Sequence, residues 1–188
     1  MRLFVAAGVP DEIRTRLSAI KERLEPLSLP VRWVRPEGIH LTLKFLGEVP
    51  EDRVERIEGA LRGTASCRPH DVEVRGIGTF PERGRPRVIW AGLGGDVAGV
   101  ARLASSIEAA LDQAGLQRET REFRAHLTLG RFRESPRGEW RSTLNRHADE
   151  DFGKFRIDAF ALYESVLQQG GARYRVVSRF TIDGEGSD

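Results

Sequence analysis

The tetrapeptide His-Leu-Thr-Leu occurs twice in this chain, as His40-Leu41-Thr42-Leu43 and as His126-Leu127-Thr128-Leu129. Only four histidines are present, and two of them open the two copies. Leucine and threonine in alternation suit a pleated surface, so each copy reads as a strand. Residues two apart on a strand point to the same side. The histidine and threonine of each copy therefore share one face, and the two leucines share the other. Such a chain has to bury two leucine faces while leaving two polar faces open to a cleft. The repetition predicts that the two strands lie close together and that four polar side chains meet at one site.

The residue types define the chemistry available there. Imidazole titrates near pH 6.5, so at neutral pH one ring can accept a proton while a second donates one. Two histidines flanking a phosphorus atom can deprotonate an attacking nucleophile and protonate a leaving oxygen. Threonine hydroxyls beside them can donate hydrogen bonds to the non-bridging phosphoryl oxygens, where charge collects in the transition state. This scheme needs no metal and no other cofactor. The sequence contains no HExxH, no cysteine cluster, no GxSxG and no P-loop signature. The run Gly92-Leu93-Gly94-Gly95 is not a dinucleotide fingerprint, because Val97 stands where the third glycine belongs.

The rest of the chain reads as a mixture of strands and helices. Leu3–Gly8 is an apolar strand. Pro10-Asp11-Glu12 opens a helix over 11–25, with Ile13, Leu17, Ile20 and Leu24 on one face. Strands follow at 31–34, carrying Trp33, and at 39–46, the first motif. A second helix carries Val54, Ile57 and Leu61. Strands are expected at 71–78 and 87–93, a long helix at 97–114 ending at Gly115, and the second motif strand at 122–132. A short helix is expected around 140–146. Lys154–Tyr163 alternates as one strand, and Tyr174–Ile182 returns as another after the Gly170-Gly171 turn. The tail from Gly184 to Asp188 reads as frayed. Strands joined by short turns make the sheet largely antiparallel, and the class is α+β. The order strand, helix, strands, then strands, helix, strand suggests two related lobes in one domain spanning 1–188.

Composition sets the outer limits. At 188 residues the chain is long enough for a sizeable core. The formal net charge is only +2, while the pI is near 9.0, and the basic residues are arginines apart from Lys21, Lys44 and Lys154. Arginine suits bidentate contact with phosphates, which leans toward an anionic partner. Cys67 is the only cysteine, so no intrachain disulfide can form. No apolar run approaches a membrane span or a signal h-region, and a cytoplasmic protein is expected.

The two motifs with their flanks, His40-Leu41-Thr42-Leu43-Lys44-Phe45-Leu46-Gly47 and His126-Leu127-Thr128-Leu129-Gly130-Arg131, resemble the paired HxTx motifs of the 2H phosphoesterase superfamily. The nearest resemblance is to the bacterial and archaeal RNA 2′,3′-cyclic phosphodiesterases, formerly called LigT-like 2′-5′ RNA ligases. It extends to Arg2-Leu3-Phe4-Val5-Ala6, Val88-Ile89-Trp90, Leu162-Tyr163-Glu164-Ser165 and Tyr174. The resemblance implies two pseudo-symmetric lobes with antiparallel sheets flanked by helices, and a central cleft holding both motifs. It implies hydrolysis of an RNA 2′,3′-cyclic phosphate, or of a cyclic nucleotide, to a 2′-phosphate. His40 would donate a proton to the leaving 3′ oxygen, His126 would activate water, and Thr42 and Thr128 would hold the phosphoryl oxygens. The identical motifs do not themselves assign these roles.

Around the four motif positions the reading is more open. Arg131 lies at an odd offset from His126, so an ideal strand turns it away; a bulge would bring it back as a phosphate contact. Phe45 has the same odd offset from His40 and reads either as core packing with Leu41 and Leu43 or as a base-stacking surface. Lys44 shares the His40 face on an ideal strand and is expected to be solvated. Arg83 and Arg85 lie in a basic loop over 81–86 and Arg87 enters the strand after it; of the three, Arg87 is the preferred substrate contact. Trp33 and Trp90 are expected in the core, whereas Tyr163 is a candidate for base contact. Ser165 reads either as a turn serine or as a neighbour of the site. His70 and His147 are expected on the surface, and Cys67 shows no partner. Two rival functions remain: RNA 2′-5′ ligation with a 5′-hydroxyl as nucleophile, and a non-catalytic RNA-end or nucleotide-binding module. The oligomeric state defaults to monomer.

Overall fold

The computed structural model describes residues 1–65, 68–169 and 171–182. Cys67, Gly170 and the tail from Gly184 lie outside the described residues. The first element, β1 (Arg2–Ala7), is buried from Leu3 onward. Helix α1 (Asp11–Leu24) then buries Ile13, Leu17, Ile20 and Leu24, one apolar residue per turn. Each such side chain contributes roughly 1.5–3 kcal/mol on leaving water. The short β2 (Val31–Trp33) precedes β3 (Leu41–Glu48), which carries the first motif. Helix α2 (Val54–Arg62) leads to β4 (His70–Phe80) and β5 (Val88–Gly95). Helix α3 (Val97–Gln113) starts at Asp96, whose side chain accepts from the Gly99 N–H at 3.0 Å. The remainder is β6 (His126–Phe132) with the second motif, the short α4 (Trp140–Asn145), β7 (Asp151–Ile157), β8 (Ala159–Gln168) and β9 (Gly171–Thr181). No helix among the described residues is long and apolar enough to cross a membrane.

The strands form one antiparallel sheet in the order β7-β4-β5-β6-β3-β1-β8-β9, with β2 added against β6. Its centre is the junction of the two motif strands. There β3 and β6 meet in register at one pair, Leu41 opposite Leu127, the same position in the two copies of the motif. Beyond that pair β6 takes β2 as its neighbour, with Trp33 opposite Gly130 and Val31 opposite Phe132.

The two halves repeat about this junction. In one, Ala7, Ala6, Val5 and Phe4 of β1 pair with Leu41, Thr42, Lys44 and Phe45. In the other, Ala91, Trp90, Ile89 and Val88 of β5 pair with Leu127, Thr128, Gly130 and Arg131. Both ladders skip the fourth motif residue, Leu43 in one and Leu129 in the other. Each is the extra residue of a β-bulge, and each shifts the alternation of everything after it. The units β1–α1–β3 and β5–α3–β6 are thus the same arrangement used twice. The lobes also interlock, since α3, which follows β5, packs on β3, while α1, which follows β1, packs on β7.

Four expectations need correction. Lys154–Tyr163 is not one strand: it divides at Asp158 into β7 and β8, which lie on opposite sides of the sheet. The apolar alternation runs through the break, so nothing local marked it. Lys44 is not solvated; the Leu43 bulge turns it to the helical side, where its Nζ donates to both carboxylate oxygens of Glu108 at 2.7 and 2.8 Å and to the Gln117 carbonyl. His70 is buried rather than on the surface, because it begins β4 and pairs its Nδ1 with Asp96, the cap of α3, at 2.8 Å. His147 is half-buried, its Nδ1 2.6 Å from Glu150.

Candidate active site

The junction fixes the site. Leu41 and Leu127 have no exposed surface, so the residues on either side of each face the opposite way, toward the cleft. Continuing the Leu41–Leu127 register places His40 opposite Thr128 and Thr42 opposite His126. Directly opposed residues stand about 5 Å apart and diagonal ones about 7–8 Å. The two histidines occupy one diagonal and the two threonines the other. The four candidate catalytic residues are therefore brought together by a single backbone pairing.

The imidazoles are held in matching ways. His126 Nδ1 lies 2.6 Å from the carbonyl oxygen of Arg124, two residues back. A carbonyl only accepts, so Nδ1 carries the hydrogen and Nε2 is left for the cleft. His40 likewise hydrogen-bonds the backbone of Gly38, again two residues back. Burial pushes the His126 pKa below its ordinary value; the hydrogen bond to Arg124 opposes that shift, and the charge of Arg131 adds to it. His40 is pushed further, to about 4, chiefly by burial, with the Gly38 bond opposing and the charge of Arg14 on α1 adding.

The surroundings of the two rings differ. His40 stacks on Phe4, with centroids 4.9 Å apart, and Tyr174 meets it edge-on at 5.1 Å. Tyr163 joins this group, 5.3 Å from Phe4 and nearly parallel to it, and 6.4 Å from His40. His126 instead meets the edge of Phe80 at 5.1 Å, and Phe80 packs on Trp90 at 5.0 Å. The guanidinium of Arg124 lies over Phe80. His40 thus sits among three aromatic rings with Arg14 nearby, and His126 beside Phe80 with Arg124 and Arg131 nearby.

The flanking candidates are resolved by the two bulges. Arg131 returns to the His126 face, as a bulge there requires, and its charge acts on that ring. Phe45 returns to the His40 face in the same way; it is 62% exposed, which excludes core packing with Leu41 and Leu43, and its ring lies 6.1 Å from Phe4. Tyr163 is half-buried on the same face. Arg87 is exposed just ahead of β5, and alternation turns it away from the face that carries Val88 and Arg131. Arg83 and Arg85 are exposed in a turn that Arg141 ties down through the carbonyls of Glu82 and Gly84. Trp33 is half-buried and packs against the core as expected, whereas Trp90 is half-buried and lines a cavity of about 300 Å³ with Trp140 and Arg141. Ser165 is half-buried opposite Tyr174.

Sequence reasoning missed Phe4, Phe80, Arg14 and Arg124 as neighbours of the histidines. For Phe80 the usable signal was pseudo-symmetric register, since it stands opposite Val88 as Tyr163 stands opposite Phe4, and one strand alone does not reveal that. For Arg14 no local signal exists, since an arginine on an amphipathic helix reads as a solvated residue.

A cleft with two symmetry-related His-x-Thr strands defines a class of phosphoesterases built from two copies of one half. The family model described as LigT like Phosphoesterase matches residues 7–90 and 96–174, and the chain belongs to that family. It is 38% identical over 176 residues to the RNA 2′,3′-cyclic phosphodiesterase of Archaeoglobus fulgidus, covering 93% of this chain and 97% of that one. A Thermotoga maritima protein of the same name is 31% identical, with 98% and 97% covered. Among solved structures, TT0787 of Thermus thermophilus superposes with a TM-score of 0.83 at 30% identity, over 99% of this chain and 100% of that one. The E. coli LigT complex with 3′-AMP gives 0.77 at 26% identity, over 96% and 97%.

Proposed function

We propose that this chain hydrolyses RNA 2′,3′-cyclic phosphate ends to 2′-phosphates, acting as one two-lobed unit. The observation that carries the reading is the pairing of Leu41 with Leu127, which sets two His-x-Thr faces side by side. The names of the A. fulgidus and T. maritima relatives support the substrate, and the solved complexes of E. coli LigT with 3′-AMP, ATP and NADP+ support nucleotide recognition.

The reaction balances as follows. A water oxygen forms a bond to phosphorus while its proton passes to Nε2 of His126, which Arg124 holds in the accepting tautomer. The bond from phosphorus to O3′ breaks, and His40 gives that oxygen a proton. Thr42 and Thr128 donate to the non-bridging oxygens, and Arg131 adds positive charge where negative charge builds. Without ligand, His40 is neutral at pH 7 because burial holds its pKa near 4. The anionic phosphate supplies the charge that raises it, so His40 takes up its proton when substrate binds. Phe45 and Tyr163 form the surface beside His40 for the terminal nucleoside.

His40→Ala and His126→Ala should each lower kcat by about 10²–10⁴-fold on a cyclic-phosphate oligonucleotide while the substrate still binds. Product analysis should show a 2′-phosphate. Predominant joining to an added 5′-hydroxyl strand, or unchanged turnover in both variants, would overturn the proposal.

A further inference from the structure

The ladders of the first lobe define two rows of residues that cross four strands on the cleft face. Residues directly opposed in an antiparallel pair share a face. One row runs Phe45, Phe4, Tyr163, Val176. The next runs Thr42, Ala6, Ala161, Arg179. The first passes Phe4, which stacks on His40, and ends on the β8–β9 hairpin. The second begins at a proposed phosphoryl contact, passes two small side chains, and ends on an exposed arginine.

The hairpin continues this surface. Its cleft face carries Tyr163, Ser165 and Leu167 opposite Val176, Tyr174 and Ala172. Among the described residues, the exposed large hydrophobic side chains are Phe45 and four on this hairpin. Three of those four, Leu167 (76% exposed), Val176 (45%) and Tyr174 (38%), lie on the cleft face. No carboxylate stands on that face from Tyr163 to Leu167 or from Ala172 to Arg179; the Glu164–Arg175 pair lies on the other side. The hairpin also bends round the cleft, since Tyr174 reaches Gly38 and Gly171 abuts the Arg32 guanidinium. An apolar and partly aromatic strip without acids, leading out of a phosphate site to a cation, matches single-stranded nucleic acid, whose bases stack and whose backbone is anionic. A protein partner would not require the Thr42–Arg179 lane.

We infer that the RNA leading to the reacting end lies across the first lobe, its bases on the strip from Phe45 through Tyr163 and Val176 to Leu167, and its next phosphate on Arg179. Three strand spacings separate Thr42 from Arg179, about 14 Å in a flat sheet and less in a bent one. The inference rests on the proposed function, and it makes the enzyme discriminate by chain length: an oligonucleotide engages the strip, whereas a mononucleoside cyclic phosphate engages only the motif residues and their immediate neighbours.

The test compares kcat/KM for a five-nucleotide RNA ending in a 2′,3′-cyclic phosphate with that for a mononucleoside 2′,3′-cyclic phosphate. The wild type should prefer the oligonucleotide. The pair Leu167→Ser with Val176→Ser, and separately Arg179→Gln, should each narrow that preference about tenfold, mainly through KM. Arg179→Gln should also make the slope of log Kd for a 3′-phosphorylated oligonucleotide against log salt shallower by about 0.7. Arg173→Gln, on the opposite face, should alter neither. A wild type that treats both substrates alike, or variants that keep the full preference and salt slope, would overturn the inference. Hydrolysis of neither substrate would count against the proposed function instead, and the oligonucleotide affinities would still decide whether the strip binds RNA.

Discussion

The two histidines share a motif, a place at the head of their strands and a backbone anchor two residues back, yet they are tuned differently. His40 packs against Phe4 and Tyr174 with Arg14 nearby, and burial carries it to about 4. An NMR titration of the ligand-free protein should keep the His40 ring neutral down to about pH 4, and inorganic phosphate should move its midpoint upward. A midpoint at the ordinary value of 6.5 without ligand would refute the account of its burial. The sign for stability follows from the same shift. Between pH 6.5 and about 4 the unfolded chain binds a proton that the folded chain refuses, so His40 makes the fold less stable as pH falls through that window. His40→Asn should flatten this part of the stability profile in urea titrations.

At the scale of elements, the matched bulges at Leu43 and Leu129 decide which side chains reach the cleft. They also mark the limit of what could be read in advance. The leucine and His-x-Thr faces were legible because a strand alternates with period two, and the leucines are indeed buried. Past the bulge that period fails. Plain alternation therefore puts Lys44 on the wrong side, and it leaves Phe45 undecided without the register. The bulge was nonetheless signalled, because Phe45 and Arg131 stand at the same odd offset from the two histidines. The burial of His70 is illegible for another reason: its partner Asp96 is distant in sequence, and local polarity does not report such a pair. The β6–β2 contact depends on a missing side chain. A Cβ at Gly130 would lie 2.4 Å from Val31 Cγ1, too close for the strands to keep their spacing. Gly130→Ala should cost about 1–3 kcal/mol, read as a lower urea midpoint. An unchanged midpoint would mean that β2 is not held where the register places it.

Across the whole molecule, Lys44 of β3 and Glu108 of α3 tie a motif strand to the helix of the other half. Glu108 also accepts from the Glu119 backbone N–H. Replacing Lys44 by Met strands that carboxylate and should cost about 3 kcal/mol, a fall of roughly 6–12 °C in Tm. Lys44→Met combined with Glu108→Gln, which removes the charge but keeps an acceptor for Glu119, should recover most of the loss. If both variants melt alike, the pair is not coupled. The near two-fold relation between the halves has one more consequence. Machinery that looks the same from either side carries no arrow: a phosphodiester turned end for end would meet a histidine and a threonine in the same places. Under the proposed reaction the direction of bond breaking would be chosen outside the motifs, where the halves differ: Phe4 and Tyr163 stand beside one histidine, Val88 and Phe80 beside the other. Changing which oxygen departs would then mean rebuilding those neighbours, with both histidines left as they are.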